Sequence, residues 1–269
     1  MKWDNATNQV KEFTLQVIDE IQTVIGDNTV GFYLHGSLAL GGFNPISSDI
    51  DLLVVTEKAL TLHEKLTLTE FFLKWSKKPF PIEVSFMNRS QVEKWEYPSA
   101  YDYHFSEYWR KRYEEDREQW LIEENRDADL AAHITIINYK GICLRGESIE
   151  LVFPNIPMID YIDSIWEDYM DCLSNIEKKP VYCILNMLRV YRYLMDGTIF
   201  SKMDAGMWGS EFLPEKQSQL VNFAIDIYTG ERSDLQFKTE NLVAFKEYIK
   251  EEVNVLLTLR AGRIDEIER

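Results

Sequence analysis

The chain has 269 residues, with 45 acidic against 29 basic side chains, a formal net charge of −16, and 45% hydrophobic and 13% aromatic content. That is too apolar for a disordered chain, and enough for a sizeable core in one or two domains. A surface this acidic repels phosphate backbones and attracts cations, which argues against a nucleic-acid partner and for a polycationic small molecule.

In chain order, Asn5 is placed to cap a first helix, in which Val10, Phe13, Val17, Ile18, Ile21 and Val24 recur at helical spacing until Gly26-Asp27-Asn28 stops it. Thr29 to Leu34 (TVGFYL) is β-branched and aromatic and predicts a strand, followed by the turn-rich HGSLALGGFNPISS. Asp49 to Val55 predicts a second, mostly buried strand, residues 61–77 a helix, and Pro81 to Met87 a third strand. Helical patterns resume near Ser90 and run again from Asp129 to about Cys143. After Gly146, residues 158–177, 180–196, 216–229 and 236–260 show helical periodicity without a convincing strand. The pattern predicts an α+β chain: an N-terminal α/β domain with a mixed sheet over 1–145, then a C-terminal α-helical bundle domain over 146–269.

Cys143, Cys172 and Cys183 fall in helix-like apolar stretches with no CxxC spacing, so buried thiols in a reducing compartment are expected. The start, MKWDNATNQVKEF, lacks the apolar run of a signal peptide, and no stretch approaches the roughly 18–20 apolar residues of a membrane span. The expectation is a cytoplasmic protein that acts as a monomer, with no membrane partner.

The densest chemical signal is Gly36-Ser37, an eleven-residue spacer, then Asp49-Ile50-Asp51 opening an apolar strand. Alternate strand residues share a face, so Asp49 and Asp51 project together while Ile50 points into the core. Two adjacent carboxylates repel unless a cation sits between them, and hard oxygen ligands suit Mg²⁺, which takes one or two carboxylates plus substrate phosphates. Glycine at position 36 lets backbone approach a phosphate closely, and the Ser37 and Ser48 hydroxyls can add donors. Glu83, between apolar Ile82 and Val84 on the next predicted strand, can reach the same edge, to ligate metal or to accept the proton of an attacking hydroxyl. A DxD or a GS alone is commonplace; the order strand, GS, polar loop, DxD strand, helix, strand-borne glutamate is what points to catalysis.

Those residues resemble the polymerase-β-like nucleotidyltransferase superfamily, and HGSLALGGFNPISSDIDLLVV resembles the matching stretch of the aminoglycoside (3'')(9) adenylyltransferases, the spectinomycin/streptomycin adenylyltransferases. IEVSFMNRSQVEKWEYPSAYDYHFSEYW is similar to that family's glutamate-led strand, Trp-x-Tyr-Pro turn and aromatic-rich helix; DADLAAHITIINYKGICLRG, GTIFSKMDAGMW and YTGE extend the likeness over nearly the whole chain. The resemblance implies transfer of AMP from ATP to an aminoglycoside hydroxyl, by a nucleotidyltransferase catalytic domain followed by a helical domain that closes on substrate and nucleotide. By position, Asp49 and Asp51 would bind Mg²⁺ with Glu83 beside them as metal ligand and general base. Ser37 and Ser48, next to Gly36, would contact ATP phosphates. Arg189, Lys202 and Tyr228 sit where the family contacts the nucleotide, Tyr108 where an aromatic lies beside the antibiotic, and Asp129 at an acidic position on the substrate side.

Three departures bear on the acceptor. The loop between the glycines and Ser48 is one residue longer, Lys178-Lys179-Pro180-Val181 replaces an acidic stretch, and Met207 replaces a glutamate before Trp208. The row Asp160, Asp163, Glu167, Asp168 and Asp171 reads first as a solvated helix face, and otherwise as compensation toward a cationic ligand. Another small-molecule or protein acceptor, or a non-catalytic nucleotide-binding protein, stays open at this point.

Overall fold

The computed structural model describes residues 1–115, 121–232 and 236–267, with side chains as far as 258. The chain forms two compact units, Met1–Ser164 and Ile165–Arg269.

The first unit opens with α1 (Asn8–Ile25), β1 (Thr29–Leu34), α2 (Gly36–Leu40), β2 (Ile50–Thr56), α3 (Leu62–Trp75) and β3 (Ile82–Asn88). It continues with α4 (Arg89–Glu93), β4 (Ser99–Tyr101), β5 (Tyr103–Phe105), α5 (Arg110–Glu115), β6 (Asn125–Asp127), α6 (Asp129–Lys140), β7 (Ile142–Gly146) and α7 (Ile149–Val152). Thr7, not Asn5, caps α1: its hydroxyl accepts the Val10 N–H at 3.4 Å, while Asn5 closes a short turn by accepting the Lys2 N–H at 2.8 Å. Asn5 is two residues too early because the apolar period starts at Val10, and a cap serves the N–H groups at the head of that stripe.

The five-stranded sheet runs β5-β3-β2-β1-β7; β2 and β3 are parallel and the other pairs antiparallel, the mixed sheet expected. One face (Phe32, Leu34, Leu52, Val54, Val84, Phe86) packs against Val10, Phe13, Val17 and Ile21 of α1 and Leu68 and Phe72 of α3. Burying each such side chain contributes roughly 1.5–3 kcal/mol, so this layer anchors the unit. The opposite face carries Tyr33, Leu53, Val55 and Met87 under Leu130, Ile134 and Ile137 of α6. By alternation Asp51, Glu83 and Ser85 belong to that second face.

Two expectations are corrected. The segment from Ser99 to Phe105 is strand, not an aromatic-rich helix: Tyr103 and Phe105 pair with Phe86 and Val84, and aromatic residues alternating along β5 suit a sheet edge. The helix from Asp129 ends at Lys140 and not Cys143, because Ile142–Gly146 pairs with β1, which places Cys143 on a partly exposed strand. Cys172 and Cys183 are buried, and all three thiols are free.

The helices that follow are α8 (Met158–Asn175), α9 (Pro180–Asp196), α10 (Lys202–Phe212), α11 (Glu215–Thr229) and α12 (Thr239–Ile267). Buried residues run round most of α9, which marks it as the central helix of the second unit. Pro180 starts it and Gly197, at φ 81°, ends it. α10 is weakly periodic in sequence; Gly206 and Gly209 let it press onto Leu185 and Leu188 of α9, where a Cβ would come within 2.9 and 2.7 Å.

Candidate active site

β1 delivers the chain to the site, and the His35 N–H extends its ladder to the Asp51 carbonyl at 3.1 Å. Gly36 follows at φ 58°, where a Cβ would lie 1.8 Å from Asp51 Oδ2, so only glycine fits. The Ser37 N–H donates to the same Oδ2 at 3.2 Å. Asp51 stands in register with Glu83 across the parallel β2–β3 pair. Asp49, one residue before β2, alternates onto the same face and raises the Glu83 pKa by its charge. Gly36, Ser37, Asp49, Asp51 and Glu83 are thus brought together at adjoining strand ends. Ser48, beside them, is buried, and its Oγ accepts the Asn44 N–H at 3.0 Å, tying its own loop.

One histidine stands beside Glu83, and two more lie on the same face of the sheet. The apolar period of α6 (Leu130, Ile134, Ile137) carries His133 on its inner side, with Nε2 3.8 Å from Glu83 Oε1. The His133 ring lies 4.6 Å from that of buried His35. His104 is the register partner of Ser85 and meets the Ser85 Oγ at 2.9 Å through Nδ1. Asp127, at the end of β6, accepts the N–H of exposed Asp129 at 2.9 Å.

The electrostatics follow from this enclosure. Burial pushes the Glu83 carboxyl up; the charge of His133 opposes it, and Asp49, Asp129 and Asp127 push further. His35 is held well below its ordinary value by burial and by His133, against a hydrogen bond to the Leu52 backbone. Burial brings His104 down to about 4, with Asp127 opposing and His133 assisting. Sequence reasoning missed His35, His104 and His133. The signal for His133 was its place in the α6 stripe, but nothing in the sequence told which strand that stripe covers.

Two buried polar atoms here, Ser37 Oγ and His133 Nδ1, have no hydrogen-bond partner, the state of groups kept for a ligand. Asp49, Asp51 and Glu83 offer hard carboxylate oxygens. Among the described residues no group of three or more His, Cys, Asp or Glu forms a ready metal cage. By the chemistry of their donors alone, carboxylate oxygens suit Mg²⁺, which takes one or two of them together with water and substrate phosphate.

Elsewhere in the first unit Tyr108 is 80% exposed, its ring edge-on to Trp109 at 4.8 Å. In the second unit Arg189 on α9 donates from Nε to the Phe200 carbonyl and from Nη1 to Asn186 Oδ1, both at 3.0 Å. Lys202 opens α10 with its ammonium 4.6 Å above the Tyr182 ring, and the Tyr182 hydroxyl donates to Asp168 Oδ1 at 2.8 Å. Tyr228 is half-buried near the end of α11. Three of the five acidic-row residues accept side-chain hydrogen bonds: Asp160 from the Trp95 indole, Asp168 from Tyr182, Asp171 from Asn175. Met207 is 51% exposed.

Comparison with known proteins gives a consistent set of likenesses. Residues 16–108 match the nucleotidyltransferase domain, and residues 151–260 match the C-terminal domain of aminoglycoside adenylyltransferase. Spectinomycin 9-adenylyltransferase of Staphylococcus aureus is 29% identical over 253 residues, spanning 90% of this chain and 95% of its own. Aminoglycoside (3'')(9) adenylyltransferase of Klebsiella pneumoniae is 26% identical over 251 residues, with 88% and 92% covered. The crystal structure of spectinomycin adenyltransferase from Enterococcus faecialis with ATP and spectinomycin matches with a TM-score of 0.78 at 22% identity, over 91% of this chain and 99% of that one, a shared fold.

Proposed function

We propose that the chain is an aminoglycoside adenylyltransferase, a nucleotidyltransferase with a helical C-terminal domain, and that it transfers AMP from ATP to a hydroxyl of spectinomycin or streptomycin, releasing pyrophosphate. The observation that carries this reading is the register of Asp51 with Glu83, directly under Gly36-Ser37. Asp49 and Asp51, with Glu83 beside them, would hold Mg²⁺, which supplies charge neutralisation at the phosphates.

The chain's own residues do the rest. The unpartnered Ser37 hydroxyl takes a phosphate oxygen, and Ser48 fixes the neighbouring loop. Glu83, made more basic by burial, accepts as the carboxylate the proton of the acceptor hydroxyl. The acceptor oxygen bonds to the α-phosphorus in line as the bridging bond to the β-phosphate breaks, and pyrophosphate carries that electron pair away. Arg189, Lys202 and Tyr228 serve the nucleotide, and Tyr108 and Asp129 the acceptor. The enzyme works as a cytoplasmic monomer on a small cationic substrate, without nucleic acid. No helix among the described residues is long and apolar enough to cross a membrane.

A second reading keeps the chemistry and changes the acceptor. Lys178-Lys179 and Met207 favour it, because they stand where acidic side chains would greet a cation. The test is pyrophosphate release from Mg-ATP against a panel of aminoglycosides, with Asp51→Asn as control. Release that needs spectinomycin or streptomycin and vanishes in the variant supports the proposal. Nucleotide binding without release for any drug moves the acceptor elsewhere, and no Mg-ATP binding at all refutes the reading.

A further inference from the structure

His133 stands beside Glu83 within the first unit, and its ring is held firmly there. It sits on α6 next to Ile134 and three residues past Leu130, both fully buried against that face of the sheet. Its ring lies 4.6 Å from that of His35, which is itself tied down by a hydrogen bond to the Leu52 backbone. Only 16% of the His133 side chain stays exposed.

The two ring nitrogens are in different situations. Nδ1 is enclosed and has no hydrogen-bond partner. A bare ring nitrogen tolerates that enclosure better than an N–H, because an orphaned buried donor is the rarer state. The ring proton therefore belongs on Nε2, which faces Glu83 Oε1 at 3.8 Å. That distance is too long for a hydrogen bond between the two. It is a span across which one oxygen reaches both, with bonds of about 2.8 Å on either side. An oxygen so held donates its proton to the carboxylate and accepts from the imidazole. An alcohol can do both, whereas an ammonium has only donors and can do the first alone.

We propose that His133 is an acceptor-binding residue: its Nε2–H holds the oxygen of the acceptor hydroxyl while Glu83 Oε1 takes the proton. A hydroxyl, and not a neighbouring ammonium of a cationic aminoglycoside, is thereby presented to the α-phosphate. The inference rests on the base role given to Glu83 in the proposed function. The imidazole acts as a fixed donor and gives up no proton in the step.

The experiment is steady-state pyrophosphate release with spectinomycin and with streptomycin, beside calorimetric titration of Mg-ATP and thermal unfolding, on wild type, His133→Gln, His133→Asn and His133→Leu. Glutamine can bring a neutral N–H to the place of Nε2; asparagine is shorter and reaches only as far as Nδ1. With the drug that wild type modifies, His133→Leu and His133→Asn lose roughly three- to tenfold in kcat/KM for the drug, the worth of one hydrogen bond. Mg-ATP affinity and the unfolding temperature hold in both. His133→Gln recovers most of the loss. Equal activity in all four proteins overturns the inference. So does a loss in His133→Gln as large as in His133→Leu, which would make the imidazole a partner of the Glu83 charge or a proton carrier. A loss that comes with a lower unfolding temperature or weaker Mg-ATP binding overturns it in favour of a structural role. A wild type that releases no pyrophosphate with either drug takes down the proposed function, and the inference with it.

Discussion

Gly36→Ala puts one carbon where no room exists for it. The new Cβ would stand 1.8 Å from Asp51 Oδ2, against the 3.0 Å that real Cβ contacts respect, so the carboxylate must retreat by at least about 1.2 Å. That retreat also pulls Oδ2 away from the Ser37 N–H and shifts Asp51 relative to Glu83. A misplacement of about 1 Å at a reacting centre costs roughly a hundredfold in rate, about 2.7 kcal/mol. The φ of 58° adds backbone strain of about 1–3 kcal/mol to the folded state, which lowers stability but does not by itself touch chemistry. Gly41→Ala separates the two effects. It imposes similar strain at φ 100°, yet its Cβ meets only carbons of the exposed Lys2 side chain, at 2.7 and 2.8 Å, which can swing aside. The assay is kcat/KM for ATP by pyrophosphate release, run beside thermal unfolding. Both variants are expected to melt lower, and only Gly36→Ala to lose about two decades of activity. Near-normal activity in Gly36→Ala, or equal losses in the two, would refute the geometric argument.

Three further outcomes are expected. Ser37→Ala removes a buried hydroxyl that has no protein partner, so thermal unfolding is unchanged or slightly higher while ATP binding weakens roughly tenfold; a stability loss with normal binding would mean the hydroxyl serves the fold. Glu83→Gln abolishes turnover but keeps ATP binding. Since burial raises the Glu83 pKa, the fold favours its neutral form and loses that benefit as pH rises, so the amide should also raise the unfolding temperature of the Mg-free protein at neutral pH, and a lower one would contradict this. His104, brought from 6.5 to about 4, stabilises the sheet above its unfolded pKa and loses that contribution as pH falls toward the folded one. Between pH 7.5 and 5 the stability advantage of wild type over His104→Asn should shrink by about 2 kcal/mol, read from amide exchange of β3 and β5; a constant difference would show that His104 does not titrate this way.

What was legible in the sequence is what local chemistry decides. Thr29–Leu34 emerged as a strand because its β-branched and aromatic run is bounded by turn residues, and it spans those residues in the fold. The proximity of Glu83 to the DxD strand followed from a helix between two apolar strands, a unit that must cross over to pair in parallel. β7 was hidden because Ile142-Cys143-Leu144 continues the apolar content of α6, and only pairing with β1 decides for strand. β4 and β5 are three residues each, below the length at which alternation can be told from a helix face. The histidines lie far apart along the chain at 35, 104 and 133, and reach one face only because His35 follows β1, His104 pairs with Ser85 across β3 and β5, and α6 covers that face. The Asn5 assignment failed for the opposite reason: two residues of capping type compete within one turn, and Thr7 is the one that reaches the Val10 N–H at the start of the apolar stripe.

The gathering of histidines on the Glu83 face of the sheet has a practical side. The chain contains four histidines; His133 stands beside Glu83, His35 lies against His133, His104 is tied to Ser85 on the same face of the sheet, and the fourth, His63, is exposed on α3. In a one-dimensional proton spectrum the ring signals form a small, isolated set, so three of the four resonances report on the reaction centre without any isotope or chemical label. His63 serves as the internal reference that should stay still. Titrating nucleotide, metal and drug separately while watching which lines move would then give the order of assembly on the unmodified enzyme.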